Sequence, residues 1–136
     1  MAAFLLDTTV LIDVLRGRPG TLERLRSLRR SHDDVYVSAI NVEELVRGLK
    51  PAEEQAATHL IAGLRIAPLR RREGWNAGEW RRALAATGRT VAQADALIAA
   101  AAHSLPATIA TGNLKHFPTG QAPLADLVVE HWPTGE

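Results

Sequence analysis

The sequence predicts a three-layer α/β/α fold built on a central, mostly parallel sheet of five strands. Short apolar runs alternate along the chain with segments of helical periodicity, which is the pattern of strands joined by crossover helices. Such crossovers require parallel strands and cover the sheet on both faces. The 136 residues, 46% of them hydrophobic and 23% charged, are enough for one globular domain, which we expect to span residues 1–136.

Five short runs are the predicted strands, because they are apolar or β-branched and end at polar or turn residues. They lie at residues 4–6, 35–37, 65–67, 107–110 and 127–129. Apolar residues that recur every three or four positions predict the helices between them. Gly17 and Pro19 separate the first two helices, and Pro51 opens the fourth. The apolar stripes are Val10, Leu11, Val14 and Leu15; Leu22, Leu25 and Leu28; Val42, Leu45, Val46 and Leu49; Ala56, Ala57, Leu60, Ile61 and Leu64; Trp80, Ala83, Leu84 and Thr87; and Ala94, Leu97, Ile98, Ala101 and Leu105.

The composition removes several classes of protein. The chain has no cysteine, which excludes disulfides, thiolate metal sites and cysteine nucleophiles. No run approaches the ~20 apolar residues of a membrane-spanning helix. Asp7 interrupts the apolar start too early for a signal peptide. We therefore expect a cytoplasmic protein with no membrane partner.

Polar side chains follow two of the predicted strands directly. Asp7 follows the first strand, and Thr111 and Asn113 follow the fourth. If these strands are neighbours where the strand order reverses, Asp7 and Asn113 face each other across one crevice. Asp95 lies near the start of the helix that leads into the fourth strand, on the flank of its buried stripe. Spacing alone does not determine whether Asp95 reaches the crevice.

Two adjacent glutamates offer a further carboxylate. Glu43 and Glu44 lie about 110° and 150° from the apolar stripe of their helix on a helical wheel. Both are far enough from that stripe to be accessible, so the wheel leaves the choice between them open.

Four segments carry a family resemblance: residues 5–13 (LLDTTVLID), 37–45 (VSAINVEEL), 95–102 (DALIAAAA) and 111–117 (TGNLKHF). Together they resemble the motifs of PIN domains, especially the VapC-type toxin ribonucleases. The four segments occur in the family's order and span nearly the whole chain. In the second motif of the family, the metal-site glutamate directly precedes a leucine, so the resemblance selects Glu44.

The resemblance implies a metal-dependent ribonuclease, the toxin of a type II toxin–antitoxin pair. It also implies a homodimer and a cognate VapB-like antitoxin whose C-terminal segment covers the site. Oxygen ligands without cysteine are typical of Mg²⁺ or Mn²⁺, which would activate a water to hydrolyse RNA. The residues implied are Asp7, Glu44 and Asp95 as catalytic metal ligands, with Thr9, Thr111 and Asn113 positioning water or the ligands.

The sixteen basic and fifteen acidic side chains leave a formal net charge of only +1. Three of those acids belong to the implied metal site, where a bound cation would neutralise much of their charge. The remaining surface is therefore more basic than the total indicates, which is compatible with RNA as substrate.

A second interpretation is a PIN-like module that binds RNA or protein without cleavage. Asn113 favours it, because many relatives carry an aspartate at this position and an amide adds no negative charge for a second metal. Other α/β classes fit less well. The Asp7-Thr8-Thr9 segment lacks the second aspartate of haloacid-dehalogenase phosphatases, and the chain has no glycine-rich phosphate loop.

Individual residues also have purely structural explanations. Asp7 could be a helix N-cap, Glu44 a solvated surface residue and Asp95 a favourable charge in a first helical turn. We expect Asp13 to be solvated, and His116 of the fourth motif to be either a surface residue or a contact to phosphate. Trp80 is expected in the core, and the arginines at 24–30 and 70–72 are either plain surface or a phosphate-binding rim.

Overall fold

The chain is described by a computed structural model that covers residues 2–120 and 123–133. Within those residues, strands and helices alternate, with short 3₁₀ turns at Pro51–Glu53 and Leu114–His116. No helix in this part of the chain is long and apolar enough to cross a membrane. The strands are β1 (Ala3–Leu6), β2 (Asp34–Ser38), β3 (Arg65–Ala67), β4 (Thr108–Thr111) and β5 (Val129–His131); the helices are α1 (Thr8–Leu15), α2 (Pro19–Arg30), α3 (Ala39–Arg47), α4 (Glu54–Ala62), α5 (Arg71–Ala85) and α6 (Gln93–Ser104).

The sheet has the strand order β3-β2-β1-β4-β5, and every pair of neighbours is parallel. This confirms the predicted fold class. The first strand lies at the centre, where Leu5 is in register with Tyr36 of β2 on one side and Ile109 of β4 on the other. The strand order reverses between β1 and β4. Ligands of such sheets bind outside the carboxyl ends of the strands at this point.

The two faces of β1 are buried by different sets of helices, because successive side chains of a strand point to opposite faces. Phe4 and Leu6 pack in a core cluster with residues of α1, α2, α3 and α4. Leu5 packs on the other face, against Ile98 of α6. The result is three layers, with the sheet in the middle.

Helix α6 packs against its neighbours through small side chains. Its alanines are buried almost all around, as expected for a helix covered on most sides. Ala96 and Ala100 form a cluster with Ala77 and Leu84 of α5, so the two helices pack closely. Trp80 of α5 also packs against this cluster, as predicted. This packing fixes the first turn of α6, which carries one of the candidate site residues.

The last strand is shifted from its predicted position. The apolar triplet at 127–129 predicts a strand, whereas β5 is formed by Val129–His131. Leu127 is buried before the strand begins, and its N–H donates to the Leu124 carbonyl in a turn. Val128 is 59% exposed. The first two residues of the apolar run therefore belong to a loop, and pairing with β4 starts at Val129, the last residue of the run.

Asp13 is buried, so the expectation of a solvated residue is wrong. The chain reverses after α1, and the Arg18 N–H donates to the Asp13 carbonyl at 3.0 Å. The start of α2 thereby covers the end of α1. One carboxylate oxygen of Asp13 has no hydrogen-bond partner among the described residues.

Candidate active site

Asp7 lies at the end of β1, at the point where the strand order reverses. Its N–H donates to the Ala110 carbonyl of β4 at 2.8 Å, which joins the two strand ends. Its side chain makes no capping hydrogen bond to α1, although it occupies the N-cap position. The carboxylate instead accepts the hydroxyl hydrogen of Thr111 at 2.8 Å. Asp7 is 3% exposed, and its carboxylate is therefore directed towards the crevice between β1 and β4 rather than used as a cap.

Two threonines connect Asp7 to the segment after β4. Thr9 accepts the N–H of Gly112 at 2.8 Å and lies 3.4 Å from a carboxylate oxygen of Asp7. Thr111 donates to that same oxygen and accepts the N–H of Asn113 at 3.0 Å. Both threonines therefore contact Asp7 and the loop at once, which fixes the two sides of the crevice relative to each other.

Glu44 and its neighbour Glu43 have different surroundings. Glu44 accepts the hydroxyl hydrogen of Thr8 at 2.6 Å, across from α1. Glu43 points outward and pairs with Arg47 on the exposed face of α3 at 3.6 Å. The structure thus brings Glu44, and not Glu43, to the side of the crevice that carries Asp7.

A buried amide supports this contact, and the sequence reasoning did not identify it. Asn41 is fully buried in the first turn of α3 and donates to the Thr8 hydroxyl at 3.1 Å. Its amide oxygen accepts from the hydroxyl of Ser38, at 2.6 Å. The signal in the sequence is the Ser-x-x-Asn spacing at the start of α3, which is that of a capping box.

Asp95 lies in the first turn of α6 and is half-buried. Burial raises the pKa of its carboxyl to about 6, from an ordinary value of 3.8. His116 opposes the rise in pKa, whereas the negative charges of Asp7 and Glu44 add to it. The charges of both other candidate acids therefore act on Asp95, and His116 is the basic group that opposes them among the residues that the structure describes.

The donor chemistry of these acids fits a hard divalent cation. Asp7, Glu44 and Asp95 offer only carboxylate oxygens, and a cation between like-charged carboxylates stabilises their charged forms. Among residues 2–120 and 123–133, however, no three acidic or histidine side chains converge closely enough to hold a metal ion as they stand. Glu44 and Asp7 each use one carboxylate oxygen to accept the hydrogen of a threonine hydroxyl, which leaves the other oxygen of each carboxylate for a cation.

His116 lies beside the crevice, and its side chain is partly exposed. Its Nδ1 is 3.7 Å from a carboxylate oxygen of Asp7, and its Nε2 is 3.0 Å from the amide nitrogen of Asn113. The amide oxygen of Asn113 accepts the N–H of Lys115 at 3.1 Å. Because the oxygen is used within its own turn, Asn113 presents its amide nitrogen to His116. The 3₁₀ turn after β4 brings the imidazole back to the strand end.

Several arginines of the two basic segments are engaged within the fold. Arg24 donates to the carboxylate of Glu130, with its terminal nitrogen at 2.7 Å. Arg30 pairs with a nearby glutamate on the surface of α2. Arg70 binds the buried carboxylate of Glu73 through its backbone N–H and its guanidinium. These three side chains are thus paired with carboxylates of β5, α2 and α5, respectively.

Known proteins share both the sequence motifs and the fold. The PIN domain family profile matches residues 4–118, a range that contains all four motif segments. The chain belongs to the PIN domain family. Its relatives in that family include ribonuclease VapC10 of Mycobacterium tuberculosis, which is 32% identical over 84% of this chain and 85% of that protein.

Two solved structures have the same architecture. FitAcB from Neisseria gonorrhoeae superposes with a TM-score of 0.72, at 33% identity over 93% of this chain and 95% of that one. DNA-bound VapBC from Salmonella typhimurium gives a TM-score of 0.79, at 26% identity over 97% and 99% of the two chains. The parallel sheet and its helical layers are thus the PIN fold, and the resemblance inferred from the four motifs is confirmed.

Proposed function

We propose that this PIN domain protein is a metal-dependent endoribonuclease and the toxin of a type II toxin–antitoxin module. The observation that carries the proposal is the common crevice of Asp7, Glu44 and Asp95, in which Asp95 interacts with the charges of both other acids. Similarity to the M. tuberculosis protein named ribonuclease VapC10 supports RNA as the substrate. The reaction is the hydrolysis of a phosphodiester bond.

The three acids would hold a Mg²⁺ or Mn²⁺ ion, directly or through water. Once bound, the ion supplies an activated water and stabilises the charge that develops on the phosphodiester. Thr111 and Thr9 fix the orientation of Asp7 by their hydrogen bonds. Asn113 contributes a neutral donor at the β4 side of the crevice, where an aspartate would add a charge. This chain therefore offers three carboxylates, which favours one tightly bound ion over two.

We also propose that a cognate VapB-like antitoxin covers the crevice and that the protein is a cytoplasmic homodimer. Residues 1–136 would form one PIN domain. The similarity to the VapBC toxin–antitoxin complex of Salmonella typhimurium supports the antitoxin as partner. A basic antitoxin side chain that enters the crevice would replace the charge of the metal ion and so inhibit the toxin.

Adjacent glutamates provide a matched test of the catalytic assignment. Glu44→Gln removes a candidate ligand, whereas Glu43→Gln removes an exposed acid that pairs with Arg47. We expect Glu44→Gln to lower the rate of RNA cleavage in Mg²⁺ by about 100-fold or more, and Glu43→Gln to cleave like the parent. The measurement is single-turnover cleavage of a structured RNA pool. Equal rates for the two variants would show that the site is assigned wrongly.

A second candidate function is RNA or protein binding without cleavage. The neutral Asn113, whose amide oxygen is already used by Lys115, favours it. In that case the parent binds the same RNA pool in Mg²⁺ or Mn²⁺ but leaves it intact. Cleavage that depends on Asp7, lost in Asp7→Asn, would exclude this candidate.

A further inference from the structure

Thr8 bridges two side chains that belong to different parts of the site. It is the first residue of α1, and its hydroxyl lies 2.6 Å from Glu44 and 3.1 Å from Asn41. Asn41 is fully buried and therefore cannot exchange its hydrogen bonds for bonds to bulk water. The three residues form one connected chain of hydrogen bonds, with Glu44 at its open end.

The direction of this chain is fixed by the hydrogen atoms available. The amide oxygen of Asn41 accepts two hydrogens from Ser38, one from its N–H at 3.1 Å and one from its hydroxyl at 2.6 Å. The amide nitrogen must therefore face Thr8, and an amide nitrogen can only donate. Thr8 accepts from Asn41 and has a single hydroxyl hydrogen left, which it gives to Glu44. The N–H of Ser38, at the end of β2, thus fixes the orientation of the Asn41 amide. As a result, Glu44 accepts the hydroxyl hydrogen of Thr8.

We propose that Asn41 is a positioning residue for Glu44 and acts through the hydroxyl of Thr8. This role rests on the proposed function, because Glu44 matters to the reaction only as a metal ligand. Asn41 lies on the same helix as Glu44 and is too buried to touch RNA. Its contribution is to hold one carboxylate oxygen of Glu44, so that the ion meets an oriented ligand. Partners of this kind typically change metal affinity by about 10- to 100-fold.

Two substitutions of Asn41 test the role in different ways. Asn41→Leu keeps the approximate size and removes the donor to Thr8. Asn41→Asp keeps the acceptor for Ser38 but presents a carboxylate to Thr8, which then competes with Glu44 for the one hydroxyl hydrogen. We expect both variants to weaken Mg²⁺ binding by about 10-fold, measured by calorimetric titration of the RNA-free protein. In cleavage assays, kcat should fall while KM for RNA stays the same.

The hydroxyl of Thr8 supplies the decisive comparison. Thr8→Val should weaken Mg²⁺ binding as much as Asn41→Leu does, and the double variant should be no worse than either single one, because both remove the same chain. Thr8→Ser, which retains the hydroxyl, should restore parental affinity. Glu73→Gln controls for loss of stability, since it breaks a buried network between α5 and α6 and leaves Mg²⁺ affinity unchanged.

Each outcome decides the question. If both Asn41 variants bind Mg²⁺ as tightly as the parent, the role of Asn41 is overturned. It is also overturned if the losses of affinity in Asn41→Leu and Thr8→Val multiply in the double variant. The proposed function survives either result if the parent cleaves RNA and Glu44→Gln does not. A parent that neither binds Mg²⁺ nor cleaves RNA overturns the proposed function and, with it, the role of Asn41.

Discussion

Glu73 and Asp95 are carboxylates on the adjacent helices α5 and α6, and their surroundings shift their pKa values in opposite directions. Glu73 is fully buried and accepts hydrogen bonds from Arg70 and from the hydroxyl of Ser104. These bonds, that from Arg70 foremost, lower its pKa from 4.5 to about 2. Asp95 is only half-buried, yet burial and its acidic neighbours raise its pKa to about 6.

The two acids differ in which positively charged group neutralises the carboxylate. Glu73 receives a guanidinium from its own helix terminus, so its negative charge is balanced when the chain folds. Asp95 accepts no hydrogen bond from the described residues and faces two further acids, with only His116 to oppose them. Glu73 is paired within the fold, as expected of a carboxylate with a structural role, whereas we propose that the acids of the crevice bind a cation from solution.

The largest effect is expected from Asp95→Asn. Loss of this carboxylate should reduce RNA cleavage by about 1,000-fold, in the range found when a group that stabilises the transition state is removed. The same change should abolish the rise in melting temperature that Mg²⁺ produces in the parent, because an ion that binds only the folded state stabilises it. Single-turnover cleavage and thermal denaturation with and without Mg²⁺ measure the two effects. An undiminished Mg²⁺ shift in Asp95→Asn would contradict the assignment.

Glu73→Ala should lower the free energy of unfolding by about 2 to 3 kcal/mol, because it leaves the Ser104 hydroxyl and the Arg70 guanidinium without their common partner. The measurement is urea denaturation at pH 7. Asp126→Ala is the control, because Asp126 pairs with His103 on the surface and its loss should leave the melting temperature unchanged. A variant Glu73→Ala as stable as the parent would show that this network contributes nothing net.

The smallest effects concern pH, and they have opposite signs. The pKa of Glu73 is lower in the folded chain, so its stabilisation is complete above about pH 4.5 and is lost as the pH falls towards 2. The pKa of Asp95 is higher in the folded chain, so without metal its favourable contribution is present below about pH 3.8 and is lost as the pH rises through about 6.

Urea midpoints measured from pH 2.5 to pH 7 in EDTA test both signs, in a range set by these two pKa values. Glu73→Gln should reduce the loss of stability on the acid side. Asp95→Asn should reduce the decline between pH 4 and pH 6, and should therefore be the more stable protein at neutral pH without metal. Profiles of both variants that run parallel to the parent would contradict the two pKa directions.

The sequence was sufficient for the fold class and for the neighbouring positions of Asp7 and Thr111. Apolar runs and helical stripes have regular periods, so they predict the strands and helices. In open parallel sheets the binding crevice lies where the strand order reverses, so the strand order predicts its position. The resemblance to PIN domains added the choice of Glu44, and the structure shows why the helical wheel could not make it. Glu43 and Glu44 are both polar positions of α3, and only the approach of Thr8 from α1 distinguishes them.

Features that depend on tertiary contacts were not predictable. His116 has no periodic partner in the sequence, and only the 3₁₀ turn after β4 carries it to Asp7. Asp13 is polar and reads as surface, but the reversal into α2 buries it. Asn41 belongs to a recognisable cap motif, whereas its donation to Thr8 crosses 33 residues of sequence. A pattern read along the chain detects local order, and these three contacts are not local.

The hydrogen bond between Thr111 and Asp7 joins residues that are 104 positions apart. During synthesis, the first strand therefore leaves the ribosome long before the strand that completes its crevice. An unfinished chain carries Asp7 and Glu44 but lacks both Asp95 and the β4 edge, so it has no assembled centre. If the protein cuts RNA as proposed, cleavage therefore begins only after most of the chain has been made.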